Sequence, residues 1–348
     1  MIFRSKLFRQ LLVGLLSSCL LLGGQVSLSQ STTNKQSAQS KQTKQTTKQA
    51  VKKKAAPKKQ KRVRTSTTRA KSAKAPDEKR PSLAAAMGLR GNQDDLNLKS
   101  SVALIVDRQT NEVLFEKNAH AALPIASITK LMTSLVVLEA QLPLDETIVI
   151  EQSDVNAYPG RTRSRVTRGA KMTREEAMIL SLMSSENRVS QALGRNYPGG
   201  LPAFVDAMNA KAALLGMTQS KFADPTGLSS NNVSSPEDLT RLVEAAYQYK
   251  TIRDFSTKPD YSIMIGKRRQ NFVNTNRLVR ASDMDIGLQK TGYISAAGRC
   301  LVMQAKVVGR DVVMVFLDSV GKQARFADAV RVRKWLEANP NLEALRRL

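Results

Sequence analysis

Cysteine and histidine are nearly missing from this chain of 348 residues, which contains two cysteines and one histidine. Cys19 falls in an N-terminal segment that we expect to be removed, so Cys300 is left with no partner for an intramolecular disulfide. Because His120 is the sole imidazole, a zinc site lacks its usual ligands and a Ser-His-Asp triad would have to use this one ring. The fold must therefore rest on its hydrophobic core, and we expect neither a metal nor a cofactor.

Acidic residues are also scarce, with 29 Asp and Glu against 55 Lys and Arg and a net charge of +26. Residues 30–76 contain no acid and no aromatic, and they include basic runs at 52–54 and 58–62. Such a segment cannot bury enough apolar surface to offset its ordering entropy, and its like charges extend it. The sequence predicts a disordered polybasic tether over residues 30–97. Two interpretations stay open: electrostatic adhesion to an anionic wall or membrane surface, or a solvated spacer with no specific partner.

No apolar run near the N-terminus reaches the roughly 20 residues that span a bilayer. Three basic residues precede a shorter apolar run at 11–24, and two small serines follow before Gln30. This pattern is typical of a secretory signal peptide and predicts one over residues 1–29, hence export to the periplasm. An uncleaved anchor and a lipid on Cys19 are the alternatives. Export argues against a nucleic-acid partner despite the positive charge.

Hydrophobic patterning predicts an α+β domain over residues 98–340, followed by a short tail at 341–348. Ser235 is a plausible N-cap for one of the predicted helices. The predicted strands cover 101–106, 112–116, 301–308 and 312–317. One predicted helix begins at 127, and the others cover 174–193, 202–215, 236–248 and 326–336. Because strand pairs lie near both ends, we expect an antiparallel sheet formed by both ends of the domain, with flanking helices and a helical subdomain.

Three short motifs occur in order, Ser127-Ile128-Thr129-Lys130, Ser185-Glu186-Asn187 and Lys290-Thr291-Gly292. At a helix start, residues three apart share a face, so Lys130 can reach the Ser127 hydroxyl. Lysine can act as its base only if burial or neighbouring cations lower its pKa, and Lys290 is a candidate for such a cation. Taken alone, Ser127 and Lys130 also fit a capping serine and a surface lysine. Chance matches occur elsewhere, at Ser319 to Lys322 and at Ser229 and Ser230.

With all three motifs in order, the chain resembles the penicillin-binding serine DD-peptidases of the serine β-lactamase-like superfamily. The resemblance extends from about residue 98 to 336 and is closest to the low-molecular-mass D-alanyl-D-alanine endopeptidases and carboxypeptidases. It is carried by longer stretches around the motifs, at 123–133, 182–188, 222–229, 274–276 and 325–329. These stretches are far more specific than the triplets. The resemblance implies peptidoglycan stem peptides as substrates and β-lactam antibiotics as inhibitors.

The resemblance also implies a role for each matching position. Ser127 matches the acylated nucleophile, Lys130 its base, Ser185 the residue that relays a proton to the leaving amine, and Asn187 the one that holds the substrate amide. Further implied positions are Lys290 and Thr291 on the substrate carboxylate, Gly292 leaving room beside the substrate, and an oxyanion hole made by the backbone N–H groups of Ser127 and Tyr293.

Within the family, endopeptidase action on D-alanyl cross-links is favoured over carboxypeptidase action. The reason is that no second C-terminal β-domain of the kind carboxypeptidases often carry fits after residue 336. Asp224 stands where β-lactamases place a deacylating glutamate, but Pro225 and Gly227 favour a turn-forming role for it. A β-lactamase and a non-catalytic wall-binding scaffold are the remaining alternatives.

Overall fold

The computed structural model describes residues 81–158, 160, 164–281 and 283–340. The predicted signal peptide at 1–29, residues 30–80 of the predicted tether and the tail at 341–348 lie outside the described residues. Among the described residues, no helix has both the length and the apolar character needed to cross a membrane.

The described residues form an alternation of short and long elements. In chain order these are α1 (Leu83–Ala86), β1 (Ser100–Asp107), β2 (Val113–Lys117), β3 (Leu123–Pro124), a 3-10 helix (Ala126–Thr129), α2 (Lys130–Glu139), β4 (Thr147–Val149), α3 (Gln152–Asn156), β5 (Lys171–Thr173), α4 (Arg174–Met183), α5 (Asn187–Arg195), α6 (Gly200–Leu214), β6 (Val233–Ser234), α7 (Pro236–Tyr247), α8 (Lys250–Thr257), β7 (Asp260–Ile265), β8 (Arg268–Val273), α9 (Leu278–Ala281), β9 (Asp285–Ile294), β10 (Gly298–Val307), β11 (Arg310–Ser319) and α10 (Ala324–Ala338).

Five antiparallel strands form the main sheet, in the order β2-β1-β11-β10-β9. The predicted α+β class and the sheet built from both ends of the domain are confirmed. The sheet brings β1, near the start of the described chain, beside β11, near its end. The strand β9, which carries the third motif, lies at one edge of this sheet and was not predicted from the sequence, nor was the β7–β8 hairpin.

Both faces of the sheet are covered, so β1 is buried along its whole length. Alternate residues point to opposite faces of a strand. Val102 and Leu104 accordingly join the large core shared with the helices between β2 and β9, whereas Ala103 and Ile105 join a second core beneath α10. On α10 the buried Phe326, Ala329, Val332 and Leu336 recur at helical spacing and cover that second face.

One predicted helix, over residues 174–193, is wrong because it is two helices. The chain breaks between α4 and α5 at Ser185, whose φ of +60° lies in the left-handed region. Glu186 then caps α5, its side chain accepting a hydrogen bond from the Arg188 N–H. Apolar periodicity runs through this break, which is why it predicts one helix. By contrast, Ser235 does cap α7, accepting a hydrogen bond from the Asp238 N–H.

Ordered structure begins upstream of residue 98, where the sequence placed the end of the tether. Ser82 caps the short helix α1, Ala84 is buried against the large core, and the Leu83 N–H donates to the Ala296 carbonyl at 3.0 Å. Arg90 pairs with Asp318 at 2.6 Å. Composition missed this segment because only scattered residues, rather than a periodic run, attach it to the domain.

Candidate active site

Ser127 lies in the 3-10 helix that leads into α2, at a point of unusual backbone geometry. Ala126, just before it, has a φ of +50°, which non-glycine residues seldom adopt. Two glycines press against this turn. A Cβ on Gly227 would lie 1.9 Å from the Ala126 carbonyl oxygen, and a Cβ on Gly292 would lie 2.8 Å from the Ile125 carbonyl oxygen. Close packing of three chain segments therefore fixes where the Ser127 hydroxyl sits.

Lys130 is fully buried and points at Ser127. Its Nζ donates to Ser127 Oγ at 2.9 Å, to Asn187 Oδ1 at 2.7 Å and to the Thr226 carbonyl oxygen at 2.6 Å. Burial lowers the pKa of Lys130 to about 7, while the negative charges of Asp224 and Glu186 oppose that shift. A lysine with such a pKa is partly neutral at neutral pH, so it can take a proton from a neighbouring hydroxyl.

The loop after α6 holds the third acceptor of Lys130 in place through Asp224. The buried Asp224 carboxylate accepts from the Thr226 N–H and Oγ1, the Gly227 N–H and the Ser229 N–H. These contacts curl the loop so that the Thr226 carbonyl faces Lys130. The turn-forming interpretation of Asp224 therefore agrees with the structure, and its oxygens are engaged with the loop rather than directed at a ligand.

The second motif occupies the break between α4 and α5. Ser185 Oγ accepts a hydrogen bond from Lys290 Nζ at 3.0 Å, and Asn187, the first residue of α5, accepts from Lys130. The left-handed backbone at Ser185 is what turns both side chains toward the same space. The motif thus joins the lysine of the first motif to the lysine of the third.

The third motif lies on the edge strand β9. Lys290 Nζ also donates to the Thr291 carbonyl at 2.9 Å, and the hydroxyls of Thr291 and Thr275 share a hydrogen bond of 2.7 Å. Burial lowers the pKa of Lys290 well below its usual value, and the neighbouring charges of Lys130 and Arg325 lower it further. The site therefore contains two buried amines with lowered pKa values, Lys130 on Ser127 and Lys290 on Ser185.

Gly292 and Tyr293 follow on the same strand. Because Gly292 has no Cβ, the turn at 125–127 can approach β9 closely, so this glycine does more than leave room for a bound molecule. A Cβ there would lie 3.1 Å from Ala126 Cβ and 3.2 Å from the Ser127 N. Tyr293 is half-exposed, and the Arg299 guanidinium lies 4.4 Å from its ring centre. The strand carrying Tyr293 is thus held against the turn carrying Ser127, as two backbone donors of one oxyanion hole require.

A cleft of about 660 Å³ opens over these groups. It is lined by Ser127, Ser185, Asn187, Leu228, Ser230, Thr275, Thr291, Gly292, Tyr293, Ile294, Ser295, Ala296 and Arg325. The structure therefore gathers the predicted site residues in one place: five of them line the cleft directly together with Tyr293, and the buried Lys130 and Lys290 lie behind it. Its volume is in the range of small-ligand sites.

Arg325 is a cleft residue that the sequence analysis missed. It is 7% exposed, and its Nε and Nη1 have no hydrogen-bond partner among the described residues. Burial lowers the pKa of Arg325 to about 10, and the charge of Arg299 adds to this, yet the guanidinium stays protonated at neutral pH. A buried cation with unused donors is costly unless an anion arrives. The only sequence signal for it was its place in the 325–329 stretch that carries the family resemblance.

The chance match at Ser319 and the histidine lie apart from this chemistry. Ser319 is buried at the end of β11, where its hydroxyl and that of Ser100 are 2.5 Å apart. His120 is exposed, and its Nδ1 lies 3.0 Å from Glu237. Ser230, by contrast, does line the cleft, although it is one of the chance motif matches.

Comparison with known proteins agrees with this geometry. The profile of the peptidase S11 family, described as D-alanyl-D-alanine carboxypeptidase, matches residues 90–321, more than half of the chain. A D-alanyl-D-alanine endopeptidase of Pseudomonas aeruginosa is 46% identical over 244 residues, covering 69% of this chain and 78% of that protein. The Escherichia coli D-alanyl-D-alanine endopeptidase is 43% identical over 249 residues, with the same two coverages.

Among solved structures, the Streptomyces K15 DD-transpeptidase superposes with a TM-score of 0.65 at 25% identity, covering 69% of this chain and 98% of that one. The predicted fold family is confirmed by this match. The chain therefore belongs to the S11 peptidase family of serine D-alanyl-D-alanine peptidases.

Proposed function

We propose that this protein is a serine DD-endopeptidase that hydrolyses D-alanyl cross-links of peptidoglycan through an acyl-enzyme on Ser127. The observation that carries the proposal is the buried Lys130 amine, 2.9 Å from the Ser127 hydroxyl, with a pKa of about 7. The relatives named D-alanyl-D-alanine endopeptidases support the choice of reaction. The alternative is D-alanyl-D-alanine carboxypeptidase action, in keeping with the description of the family.

In the first half of the reaction, neutral Lys130 takes the proton of Ser127 Oγ, and the oxygen attacks the carbonyl carbon of the D-alanyl residue. The backbone N–H groups of Ser127 and Tyr293 stabilise the resulting oxyanion, a contribution of roughly 2.7 to 4 kcal/mol per donor in serine hydrolases. Ser185 gives its proton to the leaving amine and recovers one from Lys290, whose Nζ is 3.0 Å away. The C–N bond breaks and an ester on Ser127 remains.

Before the second half, Lys130 releases to solvent the proton that it took and Lys290 regains one, so both amines return to their starting state. A water then attacks the ester carbonyl, and neutral Lys130 takes its proton. Collapse of the intermediate returns the proton to Ser127 Oγ and releases the D-alanyl carboxylate. Asn187 accepts from Lys130 through Oδ1, which leaves its amide nitrogen available for a substrate carbonyl.

The substrate carboxylate that follows the scissile bond binds, in this proposal, to Lys290, Thr291 and Arg325. The Thr291 hydroxyl lies at the cleft surface, and Arg325 offers the unused donors described above. Planar guanidinium groups suit carboxylates because they donate two parallel hydrogen bonds. The arriving anion would also favour the charged form of Lys290.

Purified muropeptides distinguish the two peptidase activities. Dimers joined by a D-alanyl cross-link and monomers ending in D-alanyl-D-alanine are digested side by side and resolved by mass spectrometry. We expect faster cleavage of the dimer cross-link. Faster release of terminal D-alanine would instead support the carboxypeptidase. If the unaltered protein cleaves neither substrate, and so does not differ from the Ser127→Ala variant, the result would support the non-catalytic scaffold.

Penicillin inhibition is part of the same proposal, because a β-lactam presents both a reactive carbonyl and a carboxylate to the cleft. We expect a covalent ester at Ser127, detected by mass spectrometry of a peptic digest. An adduct at Ser319, or none under conditions that label a control DD-peptidase, contradicts it. The ester should persist, because the opened ring stays attached to the acyl group and leaves less room for the water that Lys130 would activate. The Asp224 carboxylate is engaged by its own loop and is not available as a second base of the kind that β-lactamases use.

We further propose export to the periplasm and adhesion of the polybasic segment to an anionic wall or membrane surface. The support is the composition of residues 1–80, which lie outside the described residues. Deleting residues 30–76 should leave turnover of a soluble muropeptide unchanged but lower retention on sacculi or anionic vesicles. Retention of the intact protein should fall as salt rises, since charges are screened over about 8 Å at physiological ionic strength. Equal sedimentation of both proteins at low salt would support the spacer.

A further inference from the structure

A second cavity continues the catalytic cleft at the far end of β9. It has a volume of about 440 Å³ and shares Ser230, Ser295 and Ala296 with the cleft. Its other lining residues are Pro81, Leu83, Ala86, Pro124 and Val233, all apolar. Nothing in the reaction described above uses this cavity.

The segment around α1 forms one wall of this cavity and is fixed in place. The Leu83 N–H donates to the Ala296 carbonyl, and Ser82 Oγ caps the helix by accepting from the Ala85 N–H at 3.2 Å. While Ala84 is buried, the Leu83 side chain is 40% exposed toward the cavity side of the helix, and Ala86 is exposed as well. An apolar side chain held at a surface by a capped and anchored helix is a feature that a ligand can use.

The direction of the strand says which part of a ligand reaches the cavity. Lys290 and Thr291, proposed to bind the carboxylate beyond the scissile bond, precede Gly292 and Tyr293 along β9. The latter two lie beside Ser127. Ser295 and Ala296 follow, farther from the carboxylate end. A ligand with its carboxylate at Thr291 and its carbonyl at Ser127 therefore extends its acyl side toward Ser295 and the second cavity.

We propose that this cavity is an apolar subsite for the acyl side of the ligand, where the residue before the scissile D-alanine places an aliphatic side chain. The inference rests on the proposed function. The apolar walls suit an aliphatic chain, whereas a chain that ends in a charged group would have to give up its hydration there. The chain immediately upstream of Pro81, residues 73–80, is mostly charged and offers no large apolar side chain to fill the same space.

Penicillins that differ only in the acyl group test the subsite, because that group occupies the acyl side of the cleft. The probes are 6-aminopenicillanic acid, which has no acyl group, a penicillin with a linear alkyl acyl chain, and one whose chain of equal length ends in a carboxylate. The second-order rate of Ser127 acylation is measured for each. We expect the alkyl penicillin to react faster than the carboxylate one in the unaltered protein.

Two variants change the cavity in opposite ways. Ala86→Trp fills it and Leu83→Ser removes an apolar wall, so each should lower acylation by the alkyl penicillin, Ala86→Trp by roughly tenfold, the scale of a lost apolar group in a specificity pocket. Acylation by 6-aminopenicillanic acid should not change. Leu214→Ser is the matched control, since Leu214 is 81% exposed and lines neither cavity. Thermal unfolding of each variant checks that the domain remains folded.

The outcomes separate the two proposals. Equal rates for the alkyl and carboxylate penicillins, or variants that slow all three probes alike, would overturn the subsite while leaving the acyl-enzyme in place. If no probe acylates Ser127 in the unaltered protein, the proposed function fails and the subsite fails with it. A stem peptide with glycine before the D-alanine gives a second readout: its KM should exceed that of the aliphatic peptide in the unaltered protein but not in Ala86→Trp.

Discussion

The lowered pKa of Lys130 predicts how acylation depends on pH. Only the neutral amine can accept the Ser127 proton, and burial lowers its pKa from 10.5 to about 7. The rate of acylation by a penicillin should therefore rise with pH up to about 7 and level off above it. The direction follows from the charge type, because raising pH converts an ammonium that cannot act as base into an amine that can.

The size of the effect follows from the same shift. At pH 7 a lysine with a pKa of 10.5 is neutral in about one molecule in three thousand, whereas one with a pKa of about 7 is neutral in about half. This difference corresponds to about 5 kcal/mol between the protonation states. Burial of Lys130 therefore accounts for most of the pKa decrease that a lysine needs to serve as a base at neutral pH.

An isosteric variant makes the test specific. The negative charge of Glu186 raises the pKa of Lys130, against the larger effect of burial, so Glu186→Gln should move the rise in rate to lower pH. Glutamine keeps the oxygen that accepts from the Arg188 N–H, so α5 keeps its cap. Glu175→Gln removes an equal charge in the first turn of α4, away from Lys130, and should leave the profile in place.

Stopped-flow measurement with a fluorescent penicillin from pH 5.5 to 9 gives the profile. A rate independent of pH over that range, or one still rising steeply at pH 9, would refute the argument from burial. An equal shift in both glutamine variants would show that net charge, rather than the proximity of Glu186, is responsible.

Three further predictions concern residues around the nucleophile. Lys130→Arg should abolish acylation while the domain stays folded, since a guanidinium remains protonated; circular dichroism and penicillin labelling check both parts. Gly227→Ala should lower the urea midpoint far more than Gly169→Ala: both glycines have φ near +78°, a strain of roughly 1–2 kcal/mol for alanine, but only the first would also meet a carbonyl. Arg325→Leu should raise the KM for a stem peptide about tenfold or more, the scale of a charge-assisted hydrogen bond. The KM of Arg325→Lys should lie between those of the unaltered protein and Arg325→Leu.

The sequence was sufficient to find the reacting groups and the general fold. Strands with runs of buried residues, such as β1, β10 and β11, are visible in the hydrophobic pattern, and the three motifs identify the serines and lysines. The edge strand β9 escaped prediction because Lys290 and Thr291, although polar, are buried, so the strand shows no simple alternation. The break at Ser185 escaped because apolar residues continue on both sides of it. At β9 and at Ser185, residues of the active site thus depart from the hydrophobic pattern by which strands and helices are predicted.

The residues that set the chemistry without taking part in it were the hardest to find from the sequence. Arg325 stands out only once its burial and its missing partners are known, and Thr226 acts through a carbonyl that any residue type would provide. Segment 81–97 was assigned to the tether because its contacts are dispersed along the chain. Each of these features depends on packing between distant segments, which composition and periodicity do not report.

Packing at two glycines joins the three motifs into one site. Gly227 lies against the backbone of Ala126, and its loop, curled by Asp224, turns the Thr226 carbonyl toward Lys130. Gly292 lies against the same turn and brings β9 beside it. A Cβ at either glycine would move the turn that holds Ser127. The distance between Lys130 Nζ and Ser127 Oγ therefore depends on both positions being glycine. The position of the nucleophile in this peptidase therefore depends on these backbone contacts as much as on the side chains of the three motifs.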